Sequence, residues 1–270
     1  MGQNKAVDPE LPLKGRRVVI TRPRSQAQAF ARQIENLGGE VVAAPTIEIV
    51  PPASYESLDR AIERIASYDW IIFTSVNGVK FLIGRMRDLG VSIALLGEKR
   101  IGAIGPQTAR ELAHHQISVG VVPREYRAEA IVDALAPREI RGQRILLPRA
   151  AKARDVLPAA LRKGGAEVDV VEAYRAVPVP VSGELVAELR AGRVDAVTFT
   201  SSSTVEGFVA VFLPGQLSAW TARVCIACIG PITQAAAERA GLRVDVVARE
   251  YTAAGLAQAL GEYFRRQAGR

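Results

Sequence analysis

The chain has 270 residues, of which 49% are hydrophobic and 23% are charged, and its formal net charge is +7. This length fits two ordinary domains of about 100–150 residues each, and the composition is typical of a globular protein and excludes a disordered one. No apolar run approaches the roughly 20 residues that span a bilayer, and the polar N-terminus lacks the pattern of a signal or transit peptide. We therefore expect a cytoplasmic protein with no membrane partner.

The positive charge predicts an anionic partner, because arginine side chains bind carboxylate and phosphate groups through a planar fork. The charge alone does not identify that partner, since surface arginines also follow genome composition. The sequence has no basic run of five or more residues and no nucleic-acid-binding motif. Nucleic acid is therefore not expected as a partner.

Short β-branched runs alternate with helical patterns from the N-terminus onward. The predicted strands of the first half are 17–22, 70–75, 100–104 and 119–122, together with an extended segment at 40–50 that Pro45 interrupts. The predicted helices are 25–37 with Ser25 as its N-cap, 54–67, 77–89, 106–115 and 128–135. The second half repeats this order from residue 144 onward. Because the alternation is strict and the strands are apolar throughout, we predict an α/β fold with parallel sheets covered on both faces, in two doubly wound lobes.

An internal duplication explains why the order of elements repeats. Residues 15–20, 71–75, 104–108 and 125–126 recur at 142–147, 197–201, 229–233 and 250–251. The spacing indicates a duplicated domain, because solenoid repeats have periods of only about 20–50 residues. Two similar lobes create a cleft, and clefts between domains are favoured ligand sites.

Two extended segments, 40–50 and 167–177, are too long for one buried strand each. Both begin apolar and then alternate with polar residues, as expected of a strand that leaves a core for solvent. We therefore predict that the two segments pair and connect the lobes.

The two cysteines, Cys225 and Cys228, are spaced C-x-x-C within an apolar, β-branched strand pattern at 223–229. Residues three apart on a strand point to opposite faces, so the thiols are poorly placed to share a metal or a disulfide. No second Cys/His pair completes a zinc site. We predict buried, reduced thiols and no metal site.

Hydroxyl, amide and glycine residues occupy four matched turns where a predicted strand enters a predicted helix. In open α/β sheets, ligands bind at these carboxyl ends, and a helix N-terminus supplies N–H groups that hold carboxylate or phosphate. The alternative is that Ser, Thr and Asn only cap helices and Pro only begins them. Because four such turns occur in two matched lobes, we predict an anion site shared across a cleft. Its candidate residues are Thr74, Ser75, Asn77, Gly105, Thr108, Thr200, Ser201, Ser202, Gly230 and Thr233.

Familiar catalytic motifs are absent from the sequence. There is no phosphate-binding G-x-x-x-x-G-K-[ST] loop, no G-x-G-x-x-G after a strand and no G-x-S-x-G nucleophile turn. His114 and His115, the only histidines, lie near a predicted helix end and are expected to be solvated. An enzyme built from this chain would therefore work without a metal or nucleotide cofactor. Tyr174, on the predicted connector, is a candidate acid, and its alternative role is packing at a domain junction.

Six segments, taken in order, resemble the uroporphyrinogen-III synthase family over about residues 15–262. They are 18–23, 73–78, 147–149, 172–174, 199–202 and 229–235. The resemblance implies two flavodoxin-like lobes joined by a two-stranded hinge. One lobe would be built from 1–46 with 177–270, and the other from 47–176.

The resemblance also implies a chemistry and a set of functional residues. The reaction would be that of a cofactor-independent lyase, which expels the terminal hydroxyl of hydroxymethylbilane, inverts ring D through a spiro intermediate and closes the macrocycle. The family's positions correspond to Tyr174 as the residue that assists departure of the hydroxyl, to Thr108 and Thr233 as its threonines, and to Ser75 and Ser201 as its strand-end serines. Arg22 and Arg149 are candidates for holding carboxylates of the substrate. A monomer is expected.

A second function stays open at this point, namely a two-lobed regulator that senses an anionic ligand without catalysis. A DNA-reading domain appended to the lobes would favour the regulator, and none is recognisable in the sequence. Ligand binding without formation of the III isomer would also favour it.

Overall fold

The computed structural model describes residues 11–123, 128–135, 140–212 and 216–268. The tail up to residue 10 and the repeated dipeptide at 125–126 lie outside these ranges. The strands are β1 (Arg17–Ile20), β2 (Glu40–Ala43), β3 (Ile47–Val50), β4 (Trp70–Phe73), β5 (Arg100–Ala103), β6 (Arg144–Ala150), β7 (Glu167–Pro178), β8 (Ala196–Phe199), β9 (Cys225–Cys228) and β10 (Val246–Val247). The helices are α1 (Arg24–Asn36), α2 (Glu56–Glu63), α3 (Val76–Asp88), α4 (Ala94–Gly97), α5 (Pro106–His114), α6 (Ala128–Ala134), α7 (Val156–Lys163), α8 (Gly183–Arg190), α9 (Ser202–Val209), α10 (Gln216–Thr221), α11 (Pro231–Arg239) and α12 (Ala253–Ala268). No helix within the described ranges is long and apolar enough to cross a bilayer.

The predicted elements are present, with differences at a few termini. Ser25 is not the N-cap of α1, because Pro23, with φ −50° and ψ 142°, occupies that position and the helix has no side-chain cap. The predicted strand at 119–122 is reduced to a single bridge between Val121 and Gly102. The predicted helix at 54–67 is the shorter α2 followed by a 3-10 turn at Ile65–Ser67.

The chain divides into two compact units. Unit 1 comprises Met1–Glu48 with Val177–Arg270, and unit 2 comprises Ile49–Ala176. The sheet of unit 1 has the order β10-β9-β8-β1-β2, and the other sheet has the order β3-β7-β6-β4-β5. The strand pairs with assigned register are parallel, so the predicted α/β class is confirmed. That 1–46 with 177–270 and 47–176 behave as separate domains stays a prediction.

The order of strands reverses at a central pair in each sheet. In unit 1, β1 leads to β2 on one side, and β8 leads to β9 and β10 on the other. In unit 2, β6 leads to β7 on one side, and β4 leads to β5 on the other. Ligands of open α/β sheets bind at the carboxyl ends beside such a switch point. The pairs β1/β8 and β6/β4 therefore mark where each unit could hold a ligand.

Both faces of each sheet are covered by apolar side chains, as predicted. In unit 2, the adjacent residues Ile71 and Ile72 belong to hydrophobic clusters on opposite faces. In unit 1, Cys225 and Cys228 likewise belong to clusters on opposite faces, and both are buried free thiols. Burial raises the pKa of both thiols, that of Cys228 to about 12. The prediction of buried, reduced cysteines is therefore confirmed.

The two long segments differ from each other in structure. The segment 167–177 lies within one continuous strand, β7, whereas 40–50 is divided at Pro45 into β2 and β3, which belong to different sheets. β3 and β7 are neighbours in one sheet, and the chain passes between the units within these two strands. Their predicted pairing is confirmed, and their action as a hinge stays a prediction.

Gly207, in α9, packs against the backbone at Thr46. A Cβ on Gly207 would lie 2.3 Å from the Thr46 carbonyl oxygen, which is far inside van der Waals contact. We expect Gly207→Ala to lower the free energy of unfolding by about 1–3 kcal/mol through overpacking, seen as a lower Tm by circular dichroism. Gly84→Ala in α3 is the matched control, since nothing lies within 4 Å of its Cβ position and alanine favours a helix by up to about 1 kcal/mol. An unchanged Tm for Gly207→Ala would contradict this packing.

Candidate functional site

The candidate residues lie at the carboxyl edges of the two sheets, where strands end and helices begin. Parallel pairing places these ends together within each sheet, although they are distant in sequence. In unit 2 they follow or end β4, β5 and β6, and include Ser75, Gly105 and Arg149. In unit 1 they follow β1, β8 and β9, and include Arg22, Ser201 and Gly230.

Tyr174 is placed by an irregularity in β7. Arg149 of β6 pairs with Glu172, but the next residue, Ala150, pairs with Tyr174, so Ala173 is an extra residue on β7. Bulges of this kind redirect side chains and are frequent next to active sites. Ala173 and Tyr174 are consecutive, yet both side chains are buried, at 0% and 8% exposure. In a regular strand consecutive side chains point to opposite faces, and the neighbouring residues of β7 from Arg175 onward are more exposed.

The Tyr174 hydroxyl lies 3.0 Å from Ser75 Oγ, and either atom could donate the hydrogen bond. Ser75 is also the N-cap of α3, where its Oγ accepts a 3.0 Å hydrogen bond from the Gly78 N–H. The Ser75 Oγ therefore caps α3 and also hydrogen-bonds the Tyr174 hydroxyl. Asn77, in the first turn of α3, hydrogen-bonds the same phenol.

Tyr174 is held as a neutral phenol. Burial raises its pKa above the ordinary value of 10, and the hydrogen bonds with Ser75 and Asn77 offset only part of that rise. Its ring stacks on Phe81, with ring centroids 5.7 Å apart and planes inclined by 21°. The packing fixes the ring, so the hydroxyl can donate a hydrogen bond in a defined direction but ionises reluctantly.

Gly78 permits a close approach between α3 and β6. A Cβ on Gly78 would lie 2.7 Å from the Pro148 carbonyl oxygen. Any larger residue would push the first turn of α3 away from β6, and with it Ser75 and Asn77. The glycine therefore positions the residues that hold Tyr174 at the switch point of unit 2.

The turns after β5 and β9 begin their helices without a side-chain cap. Gly105 and Gly230 are the N-caps of α5 and α11, each followed by proline, and neither helix has a side-chain hydrogen bond at its cap. Thr108 and Thr233, in the first turns of these helices, are each 4% exposed. Helix N-termini without such caps leave N–H groups for an anion, which the helix dipole also favours.

The turns after β4 and β8 are capped by serine instead. Ser201 Oγ accepts a 3.2 Å hydrogen bond from the Thr204 N–H, and Thr204 Oγ1 accepts a 3.3 Å bond from the Ser201 N–H, which together form a capping box. Thr74, Thr200 and Ser202 lie half-buried beside the two serines. The capping role weighed for Ser201 is therefore observed, and its contact with a ligand stays a prediction.

Buried threonines tie together the strand ends at the switch point of unit 1. Thr21 Oγ1 donates to the Thr198 carbonyl at 2.7 Å, and Thr198 Oγ1 donates to the Val19 carbonyl at 2.9 Å. Thr46 Oγ1 donates to the Thr204 carbonyl at 2.9 Å. These bonds fix the backbone that carries Arg22.

The two candidate arginines have different surroundings. Arg149 is 8% exposed, and its guanidinium donates to the Arg154 carbonyl at 2.7 Å and to the Asp155 carboxylate at 2.6 Å. Arg22 is half-buried and donates through Nη2 to Gln26 Oε1 at 3.1 Å. Its Nε is buried and has no hydrogen-bond partner among the described residues. Burial lowers the pKa of Arg22.

Some contributors to the site were not predicted. Gly78 ends the resembling segment 73–78, so its role could have been suspected from the motif. Phe81 follows Asn77 by four residues and therefore shares its helix face, which is a weak signal. The bulge at Ala173 and the partner of Arg149 left no pattern in the sequence.

The site residues are mainly hydrogen-bond donors, namely backbone N–H groups, hydroxyls, a phenol and guanidinium groups. Such groups bind carboxylates and can assist a leaving oxygen. Within the described part of the chain, no group of three or more His, Cys, Asp or Glu side chains is arranged to hold a metal ion. The arrangement suits a reaction of a polyanion in which a weak acid takes part.

Several relatives match nearly the whole chain. The family model for uroporphyrinogen-III synthase HemD matches residues 28–258. A uroporphyrinogen-III synthase of Synechococcus elongatus is 35% identical over 268 residues, covering 95% of this chain and 98% of that protein. A putative uroporphyrinogen-III synthase of Methanothermobacter thermautotrophicus is 38% identical over 254 residues, covering 91% of this chain and 99% of that protein.

Solved structures show the same fold. A mutant uroporphyrinogen III synthase from Thermus thermophilus superposes with a TM-score of 0.68 at 22% identity, covering 93% of this chain and 99% of that chain. A uroporphyrinogen-III synthetase from Helicobacter pylori superposes with a TM-score of 0.57 at 18% identity, covering 92% and 99%. These identities support the fold alone, whereas the family model and the closer relatives decide membership. The chain therefore belongs to the uroporphyrinogen-III synthase family.

Proposed function

We propose that the chain catalyses the cyclisation of hydroxymethylbilane to uroporphyrinogen III, with inversion of ring D, as a cofactor-independent lyase. The observation that carries the proposal is the buried Tyr174 phenol, which Ser75 holds at the carboxyl edge of its sheet. Membership of the family supports the same reaction. The substrate is a linear tetrapyrrole rich in carboxylates, which suits a chain with a net charge of +7.

Substrate carboxylates are proposed to bind the helix N-termini at the strand ends. The open first turns of α5 and α11 offer N–H groups, and Thr108 and Thr233 lie in those turns. N–H groups aimed by the backbone need no rearrangement to accept an anion, and the helix dipole adds to the attraction. The remaining binding candidates are Thr74, Ser75, Asn77, Thr200, Ser201, Ser202 and Arg22. Arg149 was also predicted from the sequence, but its guanidinium is already paired with Asp155.

Tyr174 is proposed to assist the first bond cleavage. The carbon–oxygen bond of the terminal hydroxymethyl group breaks, driven by the electron pair of the pyrrole nitrogen, and the oxygen leaves as water after gaining a proton. Tyr174 donates a hydrogen bond to that oxygen, while Ser75 and Asn77 stabilise the charge that develops on the phenolic oxygen. Because burial raises the pKa of Tyr174, it is a weak acid, so its assistance increases the rate without being indispensable.

The later steps rearrange carbon–carbon bonds only. The freed terminal carbon bonds to the α-carbon of ring D that already carries the methylene bridge to ring C, which gives the spiro intermediate. The bond between that α-carbon and the bridge then breaks, and the bridge carbon bonds to the other α-carbon of ring D, which loses its proton. That proton balances the one taken by the departing hydroxyl. The net change is the loss of one water, so no oxidant or reductant is consumed.

Other features of the proposed enzyme rest on the sequence. Action as a monomer in the cytoplasm stays a prediction, as does flexibility of the connection formed by β3 and β7. A flexible connection would help exclude water while the reactive intermediate exists, as lids do in other enzymes.

Incubation with freshly prepared hydroxymethylbilane is expected to give uroporphyrinogen III in large excess over isomer I, which forms by spontaneous closure. The products are oxidised to uroporphyrins and the isomers separated by liquid chromatography. Heat-denatured protein is the control and should give isomer I. If the native protein binds the bilane but gives only isomer I, catalysis is excluded and the ligand-sensing alternative is favoured.

Tyr174→Phe is expected to lower kcat on the order of 100-fold, the low end of the range for general acid–base assistance. Phenylalanine keeps the ring stacked on Phe81 and removes only the hydroxyl, so KM should change little. Tyr68→Phe is the matched control, because Tyr68 is another buried tyrosine of unit 2. It lies just before β4, and its hydroxyl donates a 2.6 Å hydrogen bond to the Asp169 carboxylate. That variant should lower Tm and leave kcat unchanged. Wild-type kcat in Tyr174→Phe would remove Tyr174 from the mechanism.

A further inference from the structure

The internal duplication places two arginines at equivalent positions. The segment 15–22 matches 142–149, so Arg22 corresponds to Arg149. Each arginine stands at the carboxyl end of a switch-point strand, β1 in unit 1 and β6 in unit 2. Immediately after a duplication, the two copies of a residue have the same neighbours. A difference between the contacts of Arg22 and Arg149 therefore arose later, as the two copies specialised.

Arg149 is fully engaged with its own loop. Its Nη1 donates to the Arg154 carbonyl at 2.7 Å, and its Nη2 donates to the Asp155 carboxylate at 2.6 Å. Asp155 is the N-cap residue of α7, so the arginine fixes the loop that leads from β6 into that helix. The charge of Arg149 is therefore paired with a carboxylate of its own loop.

Arg22 has no such compensation. Its one hydrogen bond goes to the neutral Gln26, its buried Nε has no partner among the described residues, and none of their carboxylates pairs with it. The first turn of α1, which begins two residues later, contains no acidic residue. A guanidinium taken out of water without an opposite charge is unfavourable, and its lowered pKa reflects that cost.

We propose that Arg22 binds a carboxylate of the substrate at the switch point of unit 1, and that Arg149 has become a structural residue. The inference depends on the proposed function for the identity of the substrate. The guanidinium of Arg22 is half-buried and, among the described residues, hydrogen-bonds only a neutral amide, and a carboxylate can accept two parallel hydrogen bonds from a guanidinium fork. The threonine bonds between the ends of β1 and β8 hold its backbone in place beforehand.

The surroundings of Arg22 favour an anion over any other ligand. The N-terminus of α1 adds the positive end of a helix dipole beside it. The adjacent strand end, after β8, carries the Thr200–Ser202 turn, because β1 and β8 are paired up to Ile20 and Thr198. A carboxylate bound there would give Arg22 the opposite charge that the described residues do not supply.

Three variants test the assignment by steady-state kinetics with hydroxymethylbilane and by titration with uroporphyrin III, followed by fluorescence. Arg22→Leu is expected to raise KM and the Kd for uroporphyrin III about 10- to 100-fold, the loss expected for a charge-assisted bond, with a smaller effect on kcat. Arg22→Lys keeps the charge without the fork and should restore part of the affinity. Arg24→Leu removes an exposed charge two residues away and should change neither constant.

Thermal unfolding without ligand separates binding from structure. Arg22→Leu should keep or raise Tm, because it removes a half-buried charge with which no described carboxylate pairs. Arg149→Leu should lower Tm, because it removes the hydrogen bonds of a buried side chain to the Arg154 carbonyl and to Asp155, although Asp155 itself is 85% exposed. A KM and Kd within twofold of wild type for Arg22→Leu, or a fall in its Tm as large as that of Arg149→Leu, would overturn the proposal. Formation of isomer I alone by the wild type would instead defeat the proposed function, and the porphyrin titration would still test Arg22.

Discussion

Parallel strand pairing is the constraint on which both units depend. Because neighbouring strands run in the same direction, every strand of a sheet ends at one edge, and every following helix begins there with its N–H groups facing outward. Most strands have only four residues, so their ends are also fixed by side-chain bonds such as that from Thr21 to the Thr198 carbonyl. Residues that are more than a hundred positions apart in the chain therefore meet at a single edge, and the candidate site follows from the topology more than from any local motif.

Ser75 shows how closely stability and chemistry are linked at that edge. Its Oγ satisfies the Gly78 N–H at the start of α3 and also contacts the Tyr174 hydroxyl. A change at Ser75 would alter the helix cap and the phenol together, whereas a change at the phenol alone leaves the cap intact. Gly78 adds a steric condition, because only a residue without a Cβ lets the capped turn lie against β6. The Tyr174 phenol is thus positioned by contacts that the fold needs in any case.

The sequence was sufficient to predict the elements and the two parallel sheets, because these follow from periodicity, from apolar strands and from the duplication. That the strand ends are the place of the site stays a prediction. The sequence was insufficient where a single tertiary contact decides the local structure or the partner of a side chain. The start of α1 at Arg24, after Pro23, displaced the predicted cap at Ser25. The bulge at Ala173 depends on the register with β6, and no residue type announces it. Arg22 and Arg149 look alike in the two copies of the repeat, and only their partners distinguish them.

The two copies of the repeat have diverged at the positions that surround Tyr174. By the repeat, the counterparts of Tyr174, Gly78 and Phe81 in unit 1 are Ile47, Thr204 and Gly207. In unit 2 the rings of Tyr174 on β7 and Phe81 on α3 stack, which fixes the position of the Tyr174 hydroxyl. In unit 1 the small Gly207 instead admits the backbone of Thr46, whose Oγ1 donates to the Thr204 carbonyl. Exchanges between large and small residues on one duplicated frame thus left a buried phenol in unit 2 and, in unit 1, an arginine with which no carboxylate of the described residues pairs.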